Sequence, residues 1–139
     1  MSIVCRDISE LKNKENIKSF GERYGISFSN EFIDFFSENN GGIPFKKEIL
    51  VDDEEYEVRC FLSFHESDYN NIFKPTDFFQ KQTKGKIFPI AKDSGDNYFC
   101  MNVDNNNIYY WDKEENKYYL LKESFNEFIV LFCSKDERE

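Results

Sequence analysis

A single histidine, His65, limits the catalytic arrangements that this sequence of 139 residues can form. A Ser–His–Asp or Cys–His site would have to use it, yet no nucleophile signature lies near it. Its neighbours Phe64 and Glu66 place it where a strand end enters a loop. We therefore expect a structural or solvent-facing histidine, and we predict no catalytic residues.

Ion and phosphate sites are not predicted either. Asp104, Asn106 and Glu115 suit the first, third and twelfth positions of a calcium-binding EF-hand loop. The sixth position of such a loop requires glycine, and here it is Tyr109. The pair Gly41-Gly42 is not followed by the Lys-Ser/Thr of a phosphate-binding loop. We predict no cofactor and no metal.

The four cysteines, Cys5, Cys60, Cys100 and Cys133, are isolated along the chain. A four-cysteine zinc site usually shows paired C-x-x-C knuckles, which are absent from the sequence. The N-terminal residues lack the basic and apolar regions of a secretory signal, and no apolar run approaches the roughly 20 residues of a membrane helix. We expect a cytoplasmic protein with free, buried thiols.

Acidic residues outnumber basic ones, 27 against 18, for a formal net charge of −9. Such a surface repels phosphate backbones, so a nucleic-acid partner is not expected. It attracts basic proteins and speeds their encounter. The alternative is that the acidity only keeps the protein soluble, which composition by itself favours.

Two acidic segments lie beside aromatic residues and form the candidate partner-binding site. The first is Asp52-Asp53-Glu54-Glu55 with Glu57 beside it, and the second is Asp112, Glu114 and Glu115. Their apolar anchors would be the exposed members of a set of four tyrosines: Tyr109, Tyr110, Tyr118 and Tyr119. Cross-strand packing accounts for about half of these tyrosines. A solvated acidic surface without a partner is the alternative.

Apolar periodicity predicts four helices. They run from Ser9 or Lys14 to Tyr24, from Ser29 to Asn40-Gly41-Gly42, over a short segment at Thr76–Gln82, and from Ser124 onward. Gly25 and Gly42 are predicted to end the first two helices in the left-handed conformation, which glycine reaches without a Cβ clash. Ser29 is a suitable N-cap, and Ser124 with Glu127 forms a capping box.

Alternating apolar residues and turn-forming separators predict the strands. They are Ile49–Val51, Tyr56–Leu62, Ile87–Ala91, Tyr98–Val103, Ile108–Asp112 and Lys117–Leu121. The second strand is predicted to be half-buried with Phe61 on its polar side, and residues 52–55 before it are predicted to be a hairpin loop. We expect one α+β domain over residues 1–139, in which two N-terminal helices and a C-terminal helix pack against an antiparallel sheet of about six strands.

Three stretches, taken in order, resemble the SUKH superfamily over roughly residues 14–132. They are Asn39-Asn40-Gly41-Gly42-Ile43-Pro44, then Phe88-Pro89-Ile90-Ala91-Lys92-Asp93-Ser94-Gly95-Asp96, and finally Ser124-Phe125-Asn126-Glu127-Phe128. The positions that recur in the family are Gly41, Gly42, Pro44, Pro89, Ala91, Asp93, Gly95, Asp96, Tyr98 and Phe128. Their expected role is fold geometry: the end of a helix, the entry of a strand and a tight turn.

The resemblance implies an α+β fold without catalysis, whose sheet face and loops bind partner proteins. Bacterial members are widely immunity proteins that neutralise the C-terminal effector domain of a toxin, for example a nuclease, and fungal members regulate cell-wall synthesis. We therefore expect an immunity protein that binds a basic toxin domain. The alternative is a non-catalytic regulatory or interaction module unrelated to toxins.

Overall fold

Nine strands and four helices make up residues 4–133, the part of the chain that the computed structural model describes. In chain order they are β1 (Cys5–Arg6), α1 (Glu15–Tyr24), α2 (Asn30–Asn39), β2 (Ile43–Pro44), β3 (Glu48–Val51), β4 (Glu54–Glu57), β5 (Cys60–Phe61), α3 (Phe73–Thr83), β6 (Ile87–Lys92), β7 (Tyr98–Asn102), β8 (Ile108–Asp112), β9 (Lys117–Lys122) and α4 (Phe125–Cys133). Strands β5 to β9 form one antiparallel sheet in sequential order, while β1–β2 and β3–β4 are two-stranded antiparallel sheets. The predicted α+β class is confirmed, and so are the four strands β6 to β9.

Phenylalanine rings fill the space between α1, α2, α4 and one face of the main sheet. The ring centroid of Phe32 on α2 lies 6.1 Å from that of Phe88 on β6 and 5.0 Å from that of Phe125 on α4. Most of these ring pairs are tilted or edge-to-face, the arrangements that the ring quadrupole favours. On the opposite face of the sheet, α3 places Phe79 5.0 Å from Trp111. The main sheet is thus covered by helices on both faces.

The predicted ends of the helices are largely confirmed. Gly25 follows α1 in the left-handed conformation, with φ of 69°. The Ser29 Oγ accepts a hydrogen bond from the Phe32 N–H at 3.2 Å, and the Ser124 Oγ accepts one from the Glu127 N–H at 3.1 Å. Each cap satisfies a backbone donor that the first helical turn leaves without a partner.

Helix α3 begins earlier than the predicted Thr76, at Phe73. The Asn71 Oδ1 accepts a hydrogen bond from the Lys74 N–H at 3.0 Å and so caps a turn that contains Pro75. Proline is tolerated in the first turn of a helix because its missing N–H would have no helical partner there.

The two glycines after α2 have structural roles that differ from the predicted ones. The left-handed residue is Gly41, with φ of 64°, whereas Gly42 is not left-handed. Gly42 is required for space: a Cβ on it would lie 2.5 Å from the Cys5 Cβ and 3.2 Å from the Asn39 carbonyl oxygen. The prediction of a positive φ at Gly42 is therefore wrong. Gly41 makes the left-handed turn, and Gly42 is the residue that Cys5 of β1 approaches closely.

The predicted strand Tyr56–Leu62 is two strands in different sheets. Strand β4 pairs with β3, and β5 pairs with β6. Between them the Val58 N–H donates to the Lys47 carbonyl at 2.7 Å and the Arg59 N–H donates to the Lys92 carbonyl at 2.8 Å, so the chain passes from one sheet to the other. Phe61, predicted on the polar side, is fully buried because α2 covers it with Phe35, 4.9 Å away between ring centroids.

The predicted hairpin loop at residues 52–55 is a two-residue turn. Asp52 and Asp53 have φ of 52° and 68°, while Glu54 and Glu55 already belong to β4. Two left-handed residues match the twist of a hairpin, and aspartate tolerates this conformation better than most residues. The loop prediction is therefore wrong for Glu54 and Glu55.

The cysteines are free, and three of them are buried as predicted. Cys133, at the end of α4, is exposed, which corrects the expectation of four buried thiols. Burial raises the pKa of the Cys100 thiol well above its usual range. None of the helices between residues 4 and 133 combines the length and the apolar character needed to cross a membrane.

Candidate protein-binding surface

The β3–β4 hairpin lies beside the β7–β8 part of the main sheet, on the face that also packs against α4. The Tyr56 ring of β4 lies 5.1 Å from the Tyr110 ring of β8 and 6.3 Å from the Phe99 ring of β7, between centroids. Burial raises the pKa of Tyr56, and the charges of Glu54 and Asp52 raise it further. The hairpin therefore brings the first acidic segment to the same side of the molecule as the second.

Tyr119 on β9 contacts the second acidic segment. Its side chain is 43 % exposed, and its hydroxyl donates a hydrogen bond to the Glu115 Oε1 at 2.9 Å. This hydrogen bond raises the pKa of Tyr119, with further contributions from burial and from the charges of Glu115, Asp112 and Tyr56. Tyr119 pairs with Tyr110 across β8 and β9, and the Tyr110 ring lies 5.1 Å from that of Tyr56, so Tyr119 is on the face of the sheet that the hairpin covers. We define the acidic surface as the following residues: Asp52, Asp53, Glu54, Glu55, Asp112, Glu114, Glu115 and Tyr119.

Some of the predicted acidic residues accept hydrogen bonds from other residues of the protein. The Glu57 carboxylate accepts hydrogen bonds from the Ser94 N–H at 2.9 Å and the Ser94 Oγ at 2.6 Å, so it holds the β6–β7 loop. The Asp112 Oδ1 accepts from the Glu114 N–H at 3.0 Å and thereby shapes the β8–β9 turn. Both carboxylates stabilise loop geometry, and Glu57 does so through two hydrogen bonds to Ser94.

The carboxylates of Glu54, Glu55 and Glu114 are exposed and make no hydrogen bond or ion pair with other residues in the range 4–133. A charge held this way contributes little to folding, because solvent screens it. It still contributes to the field that an approaching protein experiences. These three glutamates are consequently the part of the acidic surface that can be changed without disturbing the fold.

The four predicted tyrosine anchors are divided between the two faces of the sheet. Tyr110 and Tyr119 are paired across β8 and β9 on the face with the hairpin. Tyr109 and Tyr118 are on the α3 face, with ring centroids 6.4 Å apart. A single flat partner cannot contact all four side chains, since the sheet lies between the pairs.

Tyr110 is largely a structural residue. Its hydroxyl donates to the Asp93 Oδ2 at 2.6 Å. Burial raises the pKa of Tyr110 well above its usual range, and the bond to the Asp93 carboxylate adds to that rise. On the other face, Tyr118 contacts Phe79 and is hydrogen-bonded to Gln82. Tyr119 is thus the one member of the set that both lies on the acidic surface and is exposed.

Sequence reasoning missed Leu50, which is 60 % exposed and lies opposite Glu55 in the β3–β4 pairing. Its neighbours Ile49 and Val51 are buried, so simple alternation along β3 would have placed Leu50 on the outer side. Leu120 on β9 was also missed and is 50 % exposed. Leu50 borders the first acidic segment, whereas Leu120 lies opposite Tyr109 on the face of the sheet that α3 covers.

In the loop between β6 and β7, the residues of the family motif form hydrogen bonds and an ion pair within the protein. The Asp93 Oδ1 accepts hydrogen bonds from the N–H groups of Gly95 and Asn97, each at 2.9 Å. The Lys92 Nζ forms an ion pair with Asp96 at 3.0 Å, and the Asn97 Oδ1 accepts from the Lys113 N–H at 2.8 Å. The loop therefore fixes the neighbouring β8–β9 turn, which agrees with the predicted role of these residues in fold geometry.

Metal-ligand groupings and the single histidine can be described for residues 4–133. Among the described residues, no group of three or more His, Cys, Asp or Glu side chains is arranged to hold a metal ion. The His65 Nε2 donates to the Glu10 carbonyl oxygen, with 2.8 Å between the two atoms. A shallow polar cleft of about 400 Å³ lies beside Asn97 and Glu114 and borders the acidic surface.

The helices, the sequential antiparallel sheet and the internally bonded β6–β7 loop define an α+β domain of the SUKH type. Residues 13–130 match the model of the SMI1 / KNR4 family (SUKH-1), and the chain belongs to this family. Proteins of the family are immunity-type or regulatory and generally non-enzymatic. The chain is also 24 % identical to the SPbeta prophage-derived uncharacterized protein YokK of Bacillus subtilis (strain 168), over 86 % of this chain and 73 % of that protein.

Proposed function

We propose that the protein is an immunity protein that binds the effector domain of a cognate toxin and neutralises it by protein–protein contact. The observation that carries the proposal is that the β3–β4 hairpin with the first acidic segment, and Tyr119 with Glu115 of the second, lie on the same face of the main sheet. Membership of a family of immunity-type proteins supports the same reading. The partner would be a basic domain, such as a nuclease whose cleft is positively charged for its substrate.

The acidic surface would act mainly on the rate of association. Exposed carboxylates at the rim of an interface steer a basic partner and set its orientation, and they contribute less to the final affinity. Tyr119 and Leu50, both exposed, would supply apolar contact in and beside the acidic surface. Tyrosine is suited to this role, because its ring buries a large area at small entropic cost and its hydroxyl remains bonded, here to Glu115.

Co-expression with the toxin domain encoded beside the gene tests the proposal. The protein should restore growth to cells that make the toxin domain and should co-purify with it. The triple variant Glu54→Lys, Glu55→Lys, Glu114→Lys should weaken binding by about tenfold or more, mainly through slower association. Asp112 and Glu115 stay unchanged, because each accepts a hydrogen bond that the fold uses.

A matched control reverses three other exposed glutamates, Glu10, Glu22 and Glu38, and therefore makes the same change in net charge. It should bind nearly as well as the unmodified protein if position, rather than net charge, decides the affinity. Association of the unmodified protein should slow steeply between about 0.05 and 0.5 M salt, as screening shortens the range of the field. Equal protection by the surface variant and the control would show that the acidic surface is not the binding site.

A non-catalytic regulatory module is the second candidate, because the family also contains regulators. Gene context separates the two functions: a toxin gene directly upstream favours immunity, and an unrelated operon favours regulation. In the regulatory case the acidic surface would still bind a protein, but no toxin domain would co-purify and no growth would be rescued.

A further inference from the structure

The charge of the protein is distributed unevenly, and helix α3 lies in a basic segment. Residues 73–86 carry four lysines and one aspartate, whereas the whole chain has a formal net charge of −9. Helix α3 packs on the main sheet through Phe79, whose ring centroid lies 5.0 Å from that of Trp111. This is the face opposite to the β3–β4 hairpin, so a locally basic surface lies across the sheet from the acidic surface.

The outer side of α3 presents an aromatic ring between amino groups. Lys74, Phe78 and Lys81 follow one another at spacings of four and three residues, so they lie along one side of the helix. All three are exposed, and 48 % of the Phe78 surface is accessible although its ring lies 5.5 Å from that of Trp111. Lys84, which follows the last turn of the helix, is exposed as well.

The positive charge of this side is not cancelled within the protein. None of these three lysines forms an ion pair with another residue in the range 4–133, whereas the Lys86 Nζ is paired with Asp104 at 2.8 Å. The one carboxylate on the helix is Asp77, and its Oδ1 accepts a hydrogen bond from the Tyr24 hydroxyl at 2.7 Å. Asp77 is therefore directed toward α1, away from the strands that Phe78 contacts, and the local charge remains positive when it is counted.

Folding of the helix accounts for Lys81 and not for Lys74. The C-terminal end of a helix carries partial negative charge, so Lys81 in the last turn is favourable there. Lys74 lies in the first turn, where the partial charge is positive and no acidic residue offsets it. A cation that weakens the helix it belongs to indicates a role outside folding.

A polar cleft of about 290 Å³ opens beside Lys74 and extends this side of the helix. Lys92 also lines it, and the Lys92 Nζ is paired with Asp96 at 3.0 Å. Tyr69 lines the same cleft and is 94 % exposed, so it contributes almost nothing to packing. We define the α3 surface as the following residues: Tyr69, Lys74, Phe78, Lys81 and Lys84.

We propose that the α3 surface binds an acidic segment of another protein, in which large apolar side chains lie between the carboxylates. The carboxylates would pair with the lysines, and the apolar side chains would cover the rings of Tyr69 and Phe78. Because the α3 surface and the acidic surface lie on opposite faces of the main sheet, this segment and a toxin domain could be bound together. The inference goes beyond the proposed function and does not depend on it.

Extended polyanions and a second copy of the chain fit the α3 surface less well. A nucleic acid or an anionic membrane reaches beyond the local lysines and meets the field of a chain with a net charge of −9. A second copy would bring the same net charge with its acidic surface. A short segment interacts mainly within the Debye length of about 8–10 Å, so it responds to the lysines themselves.

An NMR titration of the ¹⁵N-labelled protein with the peptide acetyl-Glu-Asp-Phe-Glu-Asp-Leu-Glu-amide tests the proposal. Millimolar peptide should shift the backbone amide signals of Lys74, Phe78 and Lys81, and should leave those of Glu54 and Tyr119 unchanged. The control acetyl-Glu-Asp-Ser-Glu-Asp-Ser-Glu-amide has the same charge without the apolar side chains. It should bind about fivefold more weakly or less, because it cannot cover the two rings.

Two lysine variants with equal net charge separate position from charge. The variant Lys74→Glu, Lys81→Glu should bind the apolar peptide about tenfold more weakly or less. These replacements act on the helix dipole in opposite directions, so the urea midpoint should change little. The matched control Lys12→Glu, Lys47→Glu changes two exposed lysines outside the α3 surface and should bind as the unmodified protein does.

The ring of Tyr69 can be removed without disturbing the core. Tyr69→Ser should weaken peptide binding by about threefold or more at an unchanged urea midpoint, since the side chain is 94 % exposed. Peptide binding that is unaffected by this replacement would contradict the assigned role of the ring.

Four other results would overturn the proposal. They are equal binding by the two lysine variants, equal binding of the two peptides, the absence of shifts at Lys74, Phe78 and Lys81, and a free protein of dimeric or larger mass whose Phe78 and Glu55 signals are broadened by a second copy. Phosphatidylglycerol vesicles or a DNA oligonucleotide that perturb the same amides more strongly than the peptide would assign the surface to a phosphate-rich partner instead. None of these results concerns rescue from a toxin domain, so the proposed function fails or stands separately.

Discussion

Replacement of Gly42 by alanine should destabilise the protein by overpacking. The new Cβ would lie 2.5 Å from the Cys5 Cβ and 3.1 Å from the Cys5 Sγ. Carbon atoms in contact prefer about 3.5–4.0 Å, so the pairing of β1 with β2 would have to open by about 1 Å. Overpacking of this kind typically costs about 1–3 kcal/mol. Urea unfolding followed by circular dichroism should show a lower midpoint at an unchanged slope.

Two comparisons isolate the cause of the Gly42 effect. Gly25→Ala places a Cβ at a left-handed residue with no atom within 4 Å, so it should cost only backbone strain, about 1–2 kcal/mol. The clash at Gly42 is with Cys5 itself, so Cys5→Gly should relieve it, and a double-mutant cycle should give a favourable coupling of more than about 0.5 kcal/mol. A Gly42→Ala protein as stable as the unmodified one, or the absence of coupling to Cys5→Gly, would refute the packing argument.

Three further outcomes follow from the free thiols and from two perturbed groups. The melting temperature should be unchanged by reductant or by a strong chelator, and a fall of about ten degrees in either would reveal a disulfide or metal site. Burial alone would raise the pKa of Asp68, but hydrogen bonds from the hydroxyls of Ser63 and Ser9 outweigh it and lower that pKa. The resulting stability is present above the unfolded pKa of about 3.9 and is lost as pH falls. Asp68→Asn should therefore lower the urea midpoint at pH 7, and the midpoints at pH 7 and pH 3 should differ less in this variant than in the unmodified protein. Burial raises the pKa of Tyr118 to about 12, so stability should fall as pH rises from about 10 to 12, and Tyr118→Phe should make this fall in melting temperature shallower.

Local signals in the sequence were sufficient for most of the fold. The Ser29 and Ser124 caps and the turn separators between β6 and β9 depend on residues close in sequence, and all were predicted at their places. The errors arose where distant segments decide. Residues 56–62 alternate like one strand, but Val58 bonds to Lys47 and Arg59 to Lys92, and no pattern within the segment shows that the partners differ.

The candidate site was predictable in its charge and not in its geometry. The acidic segments are visible in the sequence, yet the face of the sheet on which the first one lies depends on how the β3–β4 hairpin packs on β8, with Tyr56 against Tyr110. The division of the tyrosines follows from strand alternation and could have been predicted. Which of them are exposed could not, because exposure of Tyr118 and Tyr119 depends on whether a helix or the hairpin lies above each one.

The residues that identify the family and those that would select a partner are different. The Asp93 carboxylate accepts hydrogen bonds from Gly95, Asn97 and Tyr110. This residue of the family motif therefore forms its bonds within the protein. The carboxylates of Glu54 and Glu55 are exposed and make no hydrogen bond or ion pair with other residues in the range 4–133. Because their contribution to folding is small, these positions can change with little loss of stability. A scaffold arranged in this way can present a new charge pattern while its own packing stays the same.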